Sequence, residues 1–118
     1  MVNTANYRLF FYKTSSGKEI VTDFTDSFSN KIADKIRSDM RLLEEYGFAL
    51  LSTSKVKKIS GLSNLYELRI KSNVQVRLFF GFASPNTFLI VHGFIKKTNK
   101  TPLNEIRIAV KRLKEFDI

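Results

Sequence analysis

The stretch Leu65–Lys100, LYELRIKSNVQVRLFFGFASPNTFLIVHGFIKKTNK, carries the pattern on which the fold turns. Apolar residues occupy every second position, at Tyr66, Leu68 and Ile70, then at Val74, Val76, Leu78, Phe80 and Phe82. That is the period of strands with one buried face. The residues between them, Glu67, Arg69, Gln75 and Arg77, therefore project from the other face. Ser72-Asn73 and Ser84-Pro85-Asn86 supply turn chemistry, so a three-stranded meander is expected, its last strand over Phe88–Ile95. Pairing Ile70 with Val74 around residues 71–73 keeps the apolar set on one side. This expected register sets Leu68 against Val76, Glu67 against Arg77 and Arg69 against Gln75.

Glu67, Arg69 and Arg77 then have two readings. One is a surface ion pair between Glu67 and Arg77, worth at most about 1 kcal/mol. The other is an anion site on a rigid sheet. Antiparallel order returns the end of the third strand, Lys96 and Lys97, towards the start of the Arg77 strand. Arginines and lysines that converge in this way hold a phosphate and stabilise charge growing on it. His92 lies in a strand that is apolar on both sides. It is either a packed, hydrogen-bonded residue or a catalytic one.

Outward from this stretch, Tyr7–Lys13 (YRLFFYK) is expected as a first strand. Ser16-Gly17-Lys18-Glu19 has the spacing of a capping box. The helix after it would bury Ile20, Val21, Phe24 and Phe28. Ser29 or Asn30 caps a second helix, with Ile32, Ile36, Met40 and Leu43 on one face and Gly47 as its stop. Residues 48–64 read as a connection bearing Lys55, Lys57 and Lys58. Thr101-Pro102 makes an N-cap and N1 pair for a last helix to about Phe116, with Leu103, Ile106, Val110 and Leu113 inward and Arg107, Lys111 and Lys114 outward. An isolated first strand is marginal and must join the meander, and the helices must cover the apolar face. The expectation is one small α+β domain over residues 1–118, in the order β-α-α-β-β-β-α, with an antiparallel sheet packed on helices.

The 118 residues suffice for one modest core. The chain has no cysteine, which excludes disulfides and thiolate metal sites, and one histidine argues against a zinc site. No metal and no cofactor are expected. Nothing approaches a membrane span, and MVNTANYRLFFYK lacks the features of a signal peptide, so a soluble cytoplasmic protein is the expectation. Charge is uneven. Residues 1–54 hold 7 Lys+Arg and 7 Asp+Glu, whereas residues 55–118 hold 13 and 4, so the whole formal charge of +9 lies in the second part. A one-sided basic field attracts polyanions, nucleic acid above all.

LYELR at Leu65–Arg69 with Gly61 before it, Arg77 opening the next hydrophobic strand, and His92–Pro102 (HGFIKKTNKTP) ahead of a final helix together resemble the RelE/ParE toxin superfamily. Within it, the similarity is to phage-derived, HigB-like toxins of type II toxin–antitoxin systems. The resemblance implies a RelE-like fold and a ribosome-dependent messenger-RNA endonuclease that works without a metal, by attack of a ribose 2′-OH on the adjacent phosphate. It implies a cognate antitoxin, a HigA-like helix-turn-helix protein, as partner, with messenger RNA and the ribosome as targets.

Carried over residue by residue, the resemblance sets Arg77 against the phosphate. Arg69 stands at a second basic strand position, and Lys96 or Lys97 at the basic position after the last strand. Glu67 falls where some relatives place a lysine as candidate base. The chain departs from the RelE-like pattern in having no tyrosine after Tyr66, so His92 or Phe94 takes over the tyrosine's part. Lys55, Lys57, Lys58, Lys71, Lys100, Arg107, Lys111 and Lys114 are the expected contacts to messenger or ribosomal RNA. ParE-like relatives inhibit DNA gyrase on the same fold. A gyrase inhibitor and a non-catalytic nucleic-acid-binding module are therefore the alternatives.

Overall fold

In a computed structural model of the chain, which describes residues 6–116, Leu65–Lys100 forms the expected meander. Its strands are Tyr66–Lys71, Gln75–Ala83 and Thr87–Ile95, which become β3, β4 and β5 once two earlier strands are counted. The first, β1, is Arg8–Phe11 and runs parallel to β5, so it joins the meander as isolated-strand instability requires. The second, β2, is Val56–Lys58, an edge strand antiparallel to β3 inside the stretch expected to be a connection. Three alternating residues are too short a run to read from sequence. The five-stranded mixed sheet has the order β1-β5-β4-β3-β2. Three helices complete the domain: α1 (Ile20–Asp26), α2 (Asn30–Tyr46) and α3 (Leu103–Lys114).

Helices cover both faces of the sheet, not the apolar one alone. On the first face Leu68, Ile70, Val76, Leu78, Phe80, Phe88 and Ile90 meet Val21 of α1 and Ile36, Met40 and Leu43 of α2. The 3.6-residue stripe of α2 behaves as its spacing predicts. On the second face Phe79, Leu89, Val91 and Phe94 meet Ala109 and Leu113 of α3. That face was expected to be polar; half of it is a second small core. Gly47 ends α2 at φ 53°, in the left-handed region that favours glycine. A Cβ there would run into the Tyr7 ring, so the α2 terminus and the start of β1 are packed as one unit.

Several local expectations are corrected. Ser16 does not cap α1: Thr14 Oγ1 lies 2.9 Å from Ser16 Oγ, Lys13 bridges Glu19, and Gly17 turns the chain at φ 86°. Glu19 itself takes the N-cap position, because the local turn claims the serine first. Pro102 stands at the N-cap of α3 and not at N1, and the helix ends at Lys114. Leu103 is 66% exposed. Glu105, two residues further on, makes the first side-chain bond from this helix to the sheet.

The β3–β4 register is shifted by two residues from the expected one. Ser72 bonds Val74 through both its backbone N–H (3.2 Å) and its hydroxyl (2.9 Å), which holds Val74 in the turn. Pairing therefore begins at Lys71↔Gln75 and continues Ile70↔Val76, Arg69↔Arg77, Leu68↔Leu78 and Glu67↔Phe79. An even shift preserves every residue's face. It changes the neighbours.

Candidate active site

The second face of the sheet carries three cross-strand rows. Lys57, Glu67, Phe79 and His92 form one, and Arg69, Arg77 and Phe94 the next. Lys71 and Gln75 form the third, extended by the Lys96 N–H donating to the Gln75 carbonyl at 2.7 Å. His92 reaches this face through a bulge. Phe80 pairs with Ile90 but Phe79 pairs with His92, so Val91 is an extra residue. Strict alternation from Phe88 and Ile90 would have sent His92 into the first core.

Glu67 lies at the centre and is almost wholly buried. Arg69 Nε–H donates to Glu67 Oε1 at 2.8 Å, while Arg77 Nε lies 3.9 Å from the same oxygen. The sequence register had made Arg77 the cross-strand partner of Glu67; Arg69 is the one that holds it. Arg77 Nη1–H donates to the Val76 carbonyl at 3.2 Å. Arg77 Nε and Glu67 Oε2 are buried without hydrogen-bond partners. Burial pushes the Arg77 guanidinium below its ordinary pKa, Glu67 works against that shift, and Arg69 adds to it. The side chain of Arg69 is 25% exposed and that of Arg77 8%. Arg69 is thus the open cation of the pair, with Arg77 beneath it.

His92 sits in a second polar network on the same face. Its Nε2 lies 3.0 Å from Glu105 Oε1, and Arg112 Nη1–H donates to its Nδ1 at 3.2 Å and to the Val91 carbonyl at 2.8 Å. These contacts fit the neutral ring with the proton on Nε2. Burial is the main cause of a lowered His92 pKa, opposed by Glu105. The Arg112 guanidinium also lies 5.0 Å from the Tyr12 ring centroid, and Tyr12 O–H donates to Glu115 at 3.0 Å. Both ring nitrogens of His92 are engaged in fixing α3 to the sheet. Phe94 is buried, with its ring stacked on His92 and tilted against Phe79.

The remaining basic residues divide. Lys57, Lys58, Lys71, Lys97, Lys100, Arg107, Lys111 and Lys114 are exposed, and Lys96 is half-buried. Lys58 Nζ donates to the Leu62 carbonyl. Lys55 is not a free rim cation: its Nζ donates to the buried Asp39 at 2.7 Å, which also accepts from Lys35 at 3.2 Å. Sequence reasoning missed Arg112 and Glu105. Their seven-residue spacing places them on one side of α3, a signal that was present but lay among more numerous exposed cations. Among the described residues, no cluster of metal-ligating side chains occurs.

A mixed five-stranded sheet with three helices, bearing arginines on one face, is a RelE-like α+β fold. Residues 23–114 match the family of phage derived protein Gp49-like (DUF891). The chain belongs to this phage-derived family, which is of the RelE/HigB toxin type and implies an antitoxin partner. The match spans α2, the sheet from β2 to β5, and α3, and so contains every residue of the site except Tyr12 and Glu115. No curated protein matches the chain. No described helix is long and apolar enough to cross a membrane.

Proposed function

We propose that the chain is a HigB-like toxin of a type II toxin–antitoxin pair, acting in the cytoplasm as a ribosome-dependent messenger-RNA endonuclease. A HigA-like helix-turn-helix antitoxin neutralises it. The observation that carries this reading is the facing pair Arg69 and Arg77, locked by a buried carboxylate, on a sheet face that also bears Lys57, Lys71 and Lys96.

In the reaction, the ribose 2′ oxygen bonds to the adjacent phosphorus, the 2′ proton leaves to a base, and the bond to the 5′ oxygen breaks as that oxygen takes up a proton. The products are a 2′,3′-cyclic phosphate and a 5′-OH. Charge grows on the non-bridging oxygens, where a guanidinium stabilises the transition state more than the ground state. Arg69 is open to make that contact, and Arg77 adds positive potential beneath it. The burial of Glu67 and its bond to Arg69 support a positioning role over proton abstraction. The occupied nitrogens of His92 likewise support a structural role, holding α3. Lys96 and Lys57, on the same face, are the residues available to donate to the departing oxygen. With so few acid–base groups, rate depends on the ribosome holding the substrate in line.

The test is induction of the chain followed by mapping of transcript 5′ ends. New ends bearing 5′-OH groups within coding sequences, absent for Arg69→Ala, are the expected outcome. DNA-damage signalling without new ends would place the chain with gyrase inhibitors. Neither response would leave a module that only holds polyanions.

A further inference from the structure

Arg77 is a cation that the sheet scarcely shows to solvent. It stands between Arg69 on β3 and the buried Phe94 on β5, and its side chain is far less exposed than that of Arg69. Its Nε–H has no acceptor and Glu67 Oε2 has no donor, although both atoms are buried. A buried polar atom without a partner is costly. Two complementary ones at a single carboxylate are therefore a bond held back. Arg77 Nε already lies 3.9 Å from Glu67 Oε1, so a closure of roughly 1 Å would make a hydrogen bond. Two things oppose it. Oε1 is taken by the Arg69 Nε–H at 2.8 Å, and the two guanidiniums face each other across the strand pair, where like charges repel.

An anion removes that obstacle. The bond to Glu67 holds Arg69 through Nε, which leaves its Nη groups for the planar, two-point contact that a guanidinium makes with a phosphate. A phosphodiester there adds a negative charge to a cluster of two cations and one carboxylate, and the repulsion that keeps Arg77 back falls. We infer that Arg77 is a positioning residue, which closes on the Glu67 carboxylate when a phosphate binds at Arg69 and does not itself touch the substrate. The inference rests on the RNA reading above and divides the work of the two arginines. Arg69 makes the contact; Arg77 secures the carboxylate that aims Arg69. It also accounts for the two partnerless atoms, which become each other's partners once the phosphate is in place.

The experiment follows the arginine Nε–H signals of the full chain by heteronuclear NMR while a single-stranded 2′-deoxy oligonucleotide, which lacks the attacking hydroxyl, is titrated in. Through-bond correlation along each side chain assigns Arg69 and Arg77 without variants. The Arg77 Nε–H is expected to move downfield and to exchange with water about tenfold more slowly, with the same midpoint as the Arg69 response. A second arm measures single-turnover cleavage on ribosomes of a messenger with sulfur in place of one non-bridging oxygen at the scissile phosphate. A residue that touches that oxygen is coupled to the sulfur. The sulfur effect should therefore disappear in Arg69→Lys and persist in Arg77→Lys. Arg69 responding while the Arg77 Nε–H stays unchanged, or a sulfur effect abolished by Arg77→Lys, overturns the inference and leaves the RNA reading intact. No response of either arginine to the oligonucleotide overturns the phosphate site and the inference with it.

Discussion

Arg69 and Arg77 stand directly opposite each other on β3 and β4, and the Glu67 carboxylate lies between their charges, 2.8 Å from one Nε and 3.9 Å from the other. Like charges facing across a strand pair destabilise a sheet. Here the repulsion is offset by a carboxylate that is itself buried, so none of the three groups is stable in place without the others. The cluster carries a net single positive charge, concentrated at the partly open Arg69. That is the arrangement an anion site needs: fixed cations with little reorganisation left to do.

Replacing Glu67 with glutamine keeps the volume and removes the charge. Two guanidiniums then face each other over a neutral amide, and unfolding by urea should show a loss of about 3 kcal/mol, the scale of a broken buried ion pair. The slope of the transition should stay unchanged, since the buried surface is the same. A loss under about 0.5 kcal/mol, the range of ordinary surface changes, would mean that the arginines do not depend on the carboxylate.

Arg69→Ala should lower cleavage on ribosomes by about 10²–10³-fold, the effect of removing one donor aimed at a developing oxyanion. Arg77→Ala should also lower it, and both variants should lose stability, because each leaves the buried Glu67 carboxylate with one cation fewer. Arg69→Lys should recover only part of the rate, since an ammonium lacks the planar fork. Single-turnover rates, read with far-UV circular dichroism to confirm folding, separate these cases. Full activity of a folded Arg69→Ala chain would remove Arg69 from the mechanism.

The meander, the helix stripes and the grouping of Glu67, Arg69 and Arg77 on one face were legible because alternation assigns faces whatever the register. Neighbours were not legible, since the Ser72–Val74 bonds that set the register are local turn chemistry without a period. His92 was illegible for a related reason: the bulge at Val91 breaks alternation inside a strand that is apolar on both faces. The helix α3 reads as an amphipathic element with Arg107, Lys111 and Lys114 outward, and these three are exposed. Arg112 instead turns in to His92, and only tertiary contact shows which of several arginines and lysines does so. Residues 1–5, outside the described range, bear on none of these points.

Burial lowers the His92 pKa from the usual 6.5, which fixes the sign of a pH effect. Between the folded value and 6.5 the unfolded chain binds a proton that the folded chain does not, so stability rises with pH in that window. The His92 contribution is fully present above 6.5 and is lost as pH falls towards the folded value. Thermal unfolding between pH 5 and 7 should show this slope, and His92→Gln should flatten it. Proton-dependent loss should also release α3, visible as faster amide exchange in Leu103–Lys114. An unchanged slope in His92→Gln would assign the effect to other groups.

Lys55 and Lys57 are two residues apart on the same edge but should fail in different assays. Lys55 is tied to the buried Asp39 and so links the edge of the sheet to α2, whereas Lys57 is exposed on the row of Glu67. Lys55→Ala should cost about 1.5 kcal/mol of stability, the lower range for a hydrogen bond to a charged group, reduced by the remaining Lys35 contact. Lys57→Ala should leave stability within about 0.5 kcal/mol and lower the salt slope of single-stranded RNA binding by about 0.7. Urea denaturation and anisotropy titration on the same two variants check both halves. If Lys55→Ala weakens RNA binding at full stability, its bond to Asp39 is not its main role, and the edge of the sheet is wholly a binding rim.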